Sequence, residues 1–151
     1  MKLKIVFESE KIRAAYMDGE KKFAWKAGDS ALDVRSVEEA FTLAPGARRM
    51  INIGIRAQIV ADDDLWEIQL RPRSGMSNRG ILKTFGTIDY DYTGVMSVVL
   101  INLSDEPLKI EFGDRIGQMV VAPIAKPEIE FVDKLDTRDR GDRGWGASGV
   151  K

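Results

Sequence analysis

Apolar and polar residues alternate along much of the chain with a period of two. Ile51, Ile53, Ile55, Ala57 and Ile59 are separated by Asn52, Gly54, Arg56 and Gln58. Trp66, Ile68 and Leu70 are separated by Glu67 and Gln69, and Leu108, Ile110 and Phe112 by Lys109 and Glu111. Strand side chains point to the two faces in turn, so each run predicts a β-strand with one buried face. Residues 95–103 are more continuously apolar, as in a strand covered on both faces or lying against a second subunit. Turn signals separate the runs at Pro45-Gly46, Asp62-Asp63-Asp64, Gly94, residues 104–107 and Gly113-Asp114. Many short strands so punctuated predict an all-β jelly roll, sandwich or barrel. Helix is expected to be scarce, with one turn over residues 36–40 and a short helix within residues 75–83. The Asp62–Asp64 run is read as a hairpin cap.

Composition narrows the chemistry. The 151 residues suit one domain with one core, and a net charge of -1 signals neither a membrane surface nor stable nucleic-acid binding. With no cysteine and no histidine, thiolate catalysis, imidazole bases and Cys/His zinc sites are excluded. A catalytic base would then be a carboxylate, and a metal would be a hard, oxygen-bound cation such as Mg²⁺. The N-terminal residues MKLKIVFESEKIR lack the apolar stretch of a signal peptide, and no apolar run reaches the ~18 residues of a membrane span. The cytoplasm of a bacterial or phage-infected cell is the expected location.

The character of the chain changes after Asp136. Residues 137–151, TRDRGDRGWGASGVK, hold four glycines and one large apolar residue, Trp145. Such a segment cannot build a core. It is either a frayed end or an arm that orders over a ligand or a neighbouring subunit. The organisation expected is a β domain over residues 1–136 and a flexible arm over 137–151.

Three segments carry candidate chemistry. From Arg71 to Lys83 there are four basic side chains and no acidic one. Arginine forks and serine hydroxyls suit phosphate oxygens, and Gly75 and Gly80 allow close backbone approach or positive φ; a solvated basic loop is the plainer reading. In GTIDYDYTG, residues 86–94, Asp89 and Asp91 stand two apart and could hold a water for attack on phosphorus or simply form a turn. In GDRIGQMV, residues 113–120, Arg115 and Gln118 are polar residues in apolar surroundings. Chemistry alone leads to a phosphate-binding site with a carboxylate base.

Together and in this order, these segments resemble the five motifs of the trimeric dUTPase family: SALDVRS (30–36), PRSGMSNRG (72–80), GTIDYDYTG (86–94), GDRIGQMV (113–120) and RGDRGWGASG (140–149). The resemblance implies a distorted jelly-roll-like β-barrel in a homotrimer, with active sites at subunit junctions and the arm closing over the nucleotide. It implies hydrolysis of dUTP to dUMP and pyrophosphate, with Mg²⁺ held by substrate phosphates and waters rather than by protein ligands. Asp89 matches the aspartate that activates the attacking water. Tyr92 matches the tyrosine that packs on deoxyribose and rejects UTP. Ser74 and Gln118 match phosphate contacts, and Arg73 is expected to brace the site beside them. Arg140 matches the γ-phosphate clamp, Trp145 stands where a phenylalanine usually covers the uracil, and Ser148 helps cradle the phosphates. Gly75, Gly86, Ile88 and Gly146 complete the expected substrate contacts, with uracil read by backbone groups in the hairpin leading into Gly86. Asp33 matches the first-motif aspartate, a support for the metal shell or for nearby structure.

The pattern departs from the family at several positions. Motif one keeps clearly only its aspartate, as Ala31-Leu32-Asp33-Val34. Ala147 lacks a hydroxyl found in relatives. In the short 81–85 link, Lys83 or Thr84 falls near where some relatives carry an asparagine at the base. The alternatives are a pyrophosphatase acting on both dUTP and dCTP, and a regulatory module that binds an unidentified host protein. A dCTP deaminase is disfavoured because residues 95–99, VMSVV, lack the glutamate that reaction requires.

Overall fold

The computed structural model describes residues 1–18, 23–139 and 141–142. The described residues contain eleven strands and two short helices. The alternating runs do become strands, in four antiparallel groups. β1 (Lys2–Phe7) pairs with β5 (Ile55–Val60), and β3 (Phe41–Leu43) with β10 (Leu108–Ile110). β4 (Arg48–Asn52), β9 (Ser97–Asn102) and β7 (Ile81–Lys83) form a three-stranded sheet in the order β4-β9-β7. β2 (Leu32–Arg35), β11 (Arg115–Pro123), β6 (Trp66–Arg71) and β8 (Gly86–Ile88) form a four-stranded sheet in the order β2-β11-β6-β8. Their inward residues share one core, with Ile51, Ile53, Ile55, Leu70, Leu100, Ile116 and Met119 almost wholly removed from water. This is the expected all-β, jelly-roll-like architecture.

Three local expectations need correction. The run from Ile51 to Ile59 is two strands. Gly54 adopts φ +66, and a Cβ there would sit 2.9 Å from Ile12 Cδ1 and 3.0 Å from Val37 Cγ1. Only glycine meets both demands, so the chain breaks at Gly54 and β4 and β5 join different sheets. The Asp62–Asp64 run caps no hairpin, because β5 pairs with β1 while β6 pairs with β11 and β8. It forms a bend between sheets, where Asp63 Oδ1 accepts from Leu65 N (3.2 Å) and Asp64 receives Lys126 Nζ (2.6 Å). Residues 36–40 form no helix.

Helix α1 (Glu10–Met17) lies outside the alternation-based expectation. Ser9 caps it, accepting from Ile12 N (3.3 Å). Ile12 and Tyr16, four apart and so on one face, turn toward the core. The Tyr16 hydroxyl accepts from Arg35 N (2.8 Å) and donates to Ile53 O (2.8 Å), tying the helix to β2 and to the break after β4. Burial pushes this phenol far above its ordinary pKa, so it stays a neutral donor. Burying such a ring contributes on the order of 2–3 kcal/mol. The second helix, α2 (Ser74–Asn78), overlaps the expected 75–83 stretch but begins one residue before it.

Candidate active site

The four-stranded sheet aligns the motif residues. Gln118 on β11 faces Asp33 on β2 and Arg71 on β6, and Leu70 on β6 faces Gly86 on β8. Four sequence-distant segments thus meet at one end of one sheet. Just beyond it, the Asp33 carboxylate is shared by two arginines. Arg73 Nε donates to one oxygen (2.8 Å) and an Arg115 Nη to the other (2.9 Å), while Arg73 also donates to the Arg115 carbonyl (3.1 Å). All three side chains are partly shielded from water, so these charge-assisted bonds are stronger than surface ion pairs. Arg73 thus ties β2 to the start of β11 within this chain. Both Asp33 oxygens are engaged by arginine donors, so a cation there would have to displace them.

Pro72 and Arg73 stop β6 and start α2. Arg73 keeps extended backbone, and its carbonyl accepts from Met76 N and Ser77 N (both 3.0 Å). This presents Ser74 and Gly75 to solvent, and a Cβ at Gly75 would meet nothing within 4 Å. Gly75 therefore leaves room for close approach of a ligand, while positive φ falls to Gly80 (+76) and not to Gly75. The cluster separates two hollows. One, of about 240 Å³, is lined by Arg73, Arg79, Lys109, Asp114 and Arg115 among others, a cation-rich wall suited to an anion. The other, of about 310 Å³, is lined by Asp33, Arg35, Arg115 and Gln118 beside Tyr16 and Phe23.

Asp89 is elsewhere. β8 runs antiparallel to β6 with Ile88 opposite Ile68, so Asp89 emerges beside Glu67. Asp89 and Asp91 both line a hollow of about 310 Å³ together with Trp66, Glu67, Ile124 and the Asp64–Lys126 pair. Four residue steps along the strand lead from Glu67 to Arg71, which is about 13 Å, and Ser74 lies further on. A single chain therefore does not bring Asp89 to Ser74, Arg73 or Gln118. Just past Asp89, Tyr92 N donates to the Asp89 carbonyl (3.1 Å), and the Tyr92 hydroxyl donates to Val95 O (3.1 Å). The Tyr92 ring folds over Gly94, half in solvent.

The link between motifs two and three differs from the expected hairpin. β7 and β8 are joined by only Thr84 and Phe85, yet β7 pairs with β9 and β8 with β6. The corner is therefore open between two sheets. Lys83 lies inside it, 3% exposed, its ammonium donating to Leu70 O (2.6 Å) and Thr84 O (2.5 Å). Desolvation lowers its pKa from 10.5 to about 8. Sequence reading did not single out this inward orientation. The available signal was that Lys83 shares a strand face with Ile81.

Arg140, Trp145, Gly146 and Ser148 lie outside the described residues. Among the described residues, no three acidic side chains converge to hold a metal ion, and no helix is long and apolar enough to cross a membrane.

A family model described as dUTPase matches residues 24–149. The deoxyuridine 5'-triphosphate nucleotidohydrolase of Clostridium novyi is 42% identical over 126 residues, covering 82% of this chain and 86% of the relative. That of Hydrogenobaculum sp. is 39% identical over 128 residues, covering 83% and 87%. The structure of the Staphylococcus bacteriophage 80alpha dUTPase with dUPNHPP superposes with a TM-score of 0.80 at 24% identity, over 99% of both chains. A mutant dUTPase from phage phi11 of S. aureus, described as revealing the coordination of a structural Mg(II) ion, gives a TM-score of 0.71 at 21% identity, over 89% of this chain and 99% of the other. The motif order, the β architecture and these likenesses converge, and the chain belongs to the dUTPase family.

Proposed function

We propose that the protein hydrolyses dUTP to dUMP and pyrophosphate. The observation that carries this reading is the division of the motifs between two half-sites, one braced and cation-rich, the other carrying Asp89 and Tyr92. Asp89 activates the water that attacks the α-phosphorus. Ser74 and Gln118 hold the phosphates, on ground that the Asp33–Arg73–Arg115 cluster keeps rigid. Tyr92 packs on the deoxyribose. Gly86 and Ile88 bound the base, and the arm of residues 137–151 brings Arg140, Trp145, Gly146 and Ser148 over the nucleotide. The family generally uses Mg²⁺. The donor set here fits a cation carried in on the triphosphate oxygens with its waters, where it offsets charge on the leaving pyrophosphate.

The half-sites meet only between copies, so the active form is a homotrimer. The outer face of the β4-β9-β7 sheet supports this. Met50 lies opposite Val99, and Ile101 opposite Leu82, an apolar surface with Met50 69% exposed. Past β11, Ile129, Phe131 and Leu135 are also left in water by the single chain. Together these exceed the scattered apolar exposure of ordinary monomers. The place of action is the cytoplasm of a bacterial or phage-infected cell.

The test is pyrophosphate release with Mg²⁺ from dUTP, dCTP, dTTP and UTP side by side. Release from dUTP with little from UTP is expected. No release from any of the four by a folded oligomer overturns the reading.

A further inference from the structure

The hollow of about 310 Å³ beside Gln118 has walls that the reading above leaves unused. It lies on the outer face of β2 and β11. Asp33 and Arg35 on β2 and Gln118 on β11 alternate with Val34 and Met119, which point into the core. The far wall is aromatic, formed by Tyr16 and Phe23, whose rings meet edge to face with centres 5.0 Å apart. Both residues precede residue 24, where the match to the family model begins. This wall therefore comes from the part of the chain outside that match.

The charge in the hollow is lopsided. Asp33 is already shared by Arg73 and Arg115. The other carboxylate, Asp29, is turned to the backbone. Its Oδ2 accepts from Lys26 N (3.0 Å), while its own N–H donates to Lys26 O (3.0 Å). Gly28, with φ +89, closes this four-residue turn, whose third position requires positive φ. The turn sets Lys26 against the hollow. Among the described residues the Lys26 ammonium has no carboxylate in ion-pair range. Arg35 uses one Nη on Gly113 O (2.6 Å) and leaves other guanidinium N–H groups open. Lys26, Arg35, Arg73 and Arg115 thus stand against Asp29 and Asp33 alone. Open donors with an excess of positive charge suit an anion that presents several oxygens.

We propose that this hollow holds the pyrophosphate end of the nucleotide, and that Lys26 is a further substrate-binding residue, its ammonium donating to a terminal phosphate oxygen. This rests on the dUTP reading above. Gln118, given to the phosphates there, lines this hollow and not the one on the other side of the Asp33 cluster. The phosphate chain has only to continue past it. The Tyr16 hydroxyl is committed to Arg35 N and Ile53 O, so the aromatic wall supplies shielding from water rather than a polar contact. Such shielding strengthens the ionic bonds opposite. Because the contact lies away from the attacked phosphorus, it is made equally before and during cleavage. Uniform binding of this kind appears in KM and in product affinity, not in kcat.

The experiment measures kcat and KM for dUTP in the full-length protein, in Lys26→Met and in Lys26→Arg. Calorimetric binding of inorganic pyrophosphate and of dUMP is measured alongside. Lys26 is an exposed turn residue, so both variants keep the fold, which circular dichroism verifies. Lys26→Met should raise KM for dUTP and weaken pyrophosphate binding, each by at least ~10-fold, with much smaller changes in kcat and in dUMP affinity. Lys26→Arg keeps the charge and should recover most of the loss. A folded Lys26→Met protein with wild-type KM and pyrophosphate affinity overturns the proposal while leaving the dUTP reading intact. Loss of dUMP affinity in step with pyrophosphate affinity also overturns it, because the lysine would then act on the site as a whole. A wild type that releases no pyrophosphate from dUTP defeats that reading instead. Binding of inorganic pyrophosphate then decides on the hollow, equal affinity in the wild type and Lys26→Met overturning it.

Discussion

Gly94→Ala tests whether the pose of Tyr92 governs sugar selection. The Tyr92 ring lies over Gly94 so closely that an alanine Cβ would stand 2.3 Å from the hydroxyl oxygen, 2.5 Å from Cζ and 3.0 Å from Cε2. Gly94 is not among the glycines with positive φ, so alanine fits the backbone and the conflict is wholly with the ring. Reaching the 3.4 Å of an ordinary contact requires the end of the ring to retreat by about 1 Å. Because Tyr92 is 45% exposed, the ring can swing outward at little energetic cost. Its bond to Val95 O is lost, a net change of about 0.5–1 kcal/mol at an exposed position. Global stability should therefore move by no more than about 1 kcal/mol. A misplacement of about 1 Å at a packed reacting centre lowers kcat/KM by up to ~100-fold. The retreat also opens the space that a 2′-hydroxyl needs. The expected result in a pyrophosphate-release assay is a dUTP:UTP ratio of kcat/KM reduced at least ~10-fold, equivalent to about 1.4 kcal/mol. Tyr92→Phe, which loses the hydroxyl bond but keeps the ring, should change the ratio far less. A Gly94→Ala protein with both kcat/KM for dUTP and the dUTP:UTP ratio at wild-type values would refute the role given to the ring.

Other expectations address the remaining assignments. Asp89→Asn should bind a non-hydrolysable dUTP analogue nearly as well as the wild type while turnover falls at least ~100-fold; unchanged turnover would remove Asp89 as the base. Deleting residues 137–151 should leave the proposed trimer intact in sedimentation but cripple hydrolysis, and full activity would show the arm to be a frayed end. Lys83 also predicts a pH dependence of stability. Its folded-state pKa of about 8 lies below the ordinary 10.5, so between these values the unfolded chain binds the extra proton. Stability must then rise with pH across that window, by about 3 kcal/mol in total, and be lost as pH falls back through 8. Urea unfolding should show this gain in the wild type but not in Lys83→Met; equal slopes in the two proteins would contradict it.

Much of this molecule is written in local sequence. Period-two alternation identifies which residues face a core because side chains on an extended chain must alternate. The motif residues are legible because the chemistry needs particular groups at close spacing, as with Pro72 to Gly75 and Asp89 to Gly94. Alternation gives the face of a strand, however, and not its partner. Pairing depends on contacts between residues far apart in sequence. Only the tertiary structure decided that Gly54 breaks one apolar run into strands of two sheets, because the obstacles are Ile12 and Val37. It decided that β7 and β8 part rather than pair, turning Lys83 into a buried amine against Leu70. It decided that Asp33 is held by two arginines from distant segments. It also set Asp89 at the other end of β6 from Ser74, because antiparallel register runs β8 away from the turn that opens α2. The sequence determined which groups are present; their separation within one chain follows from strand geometry.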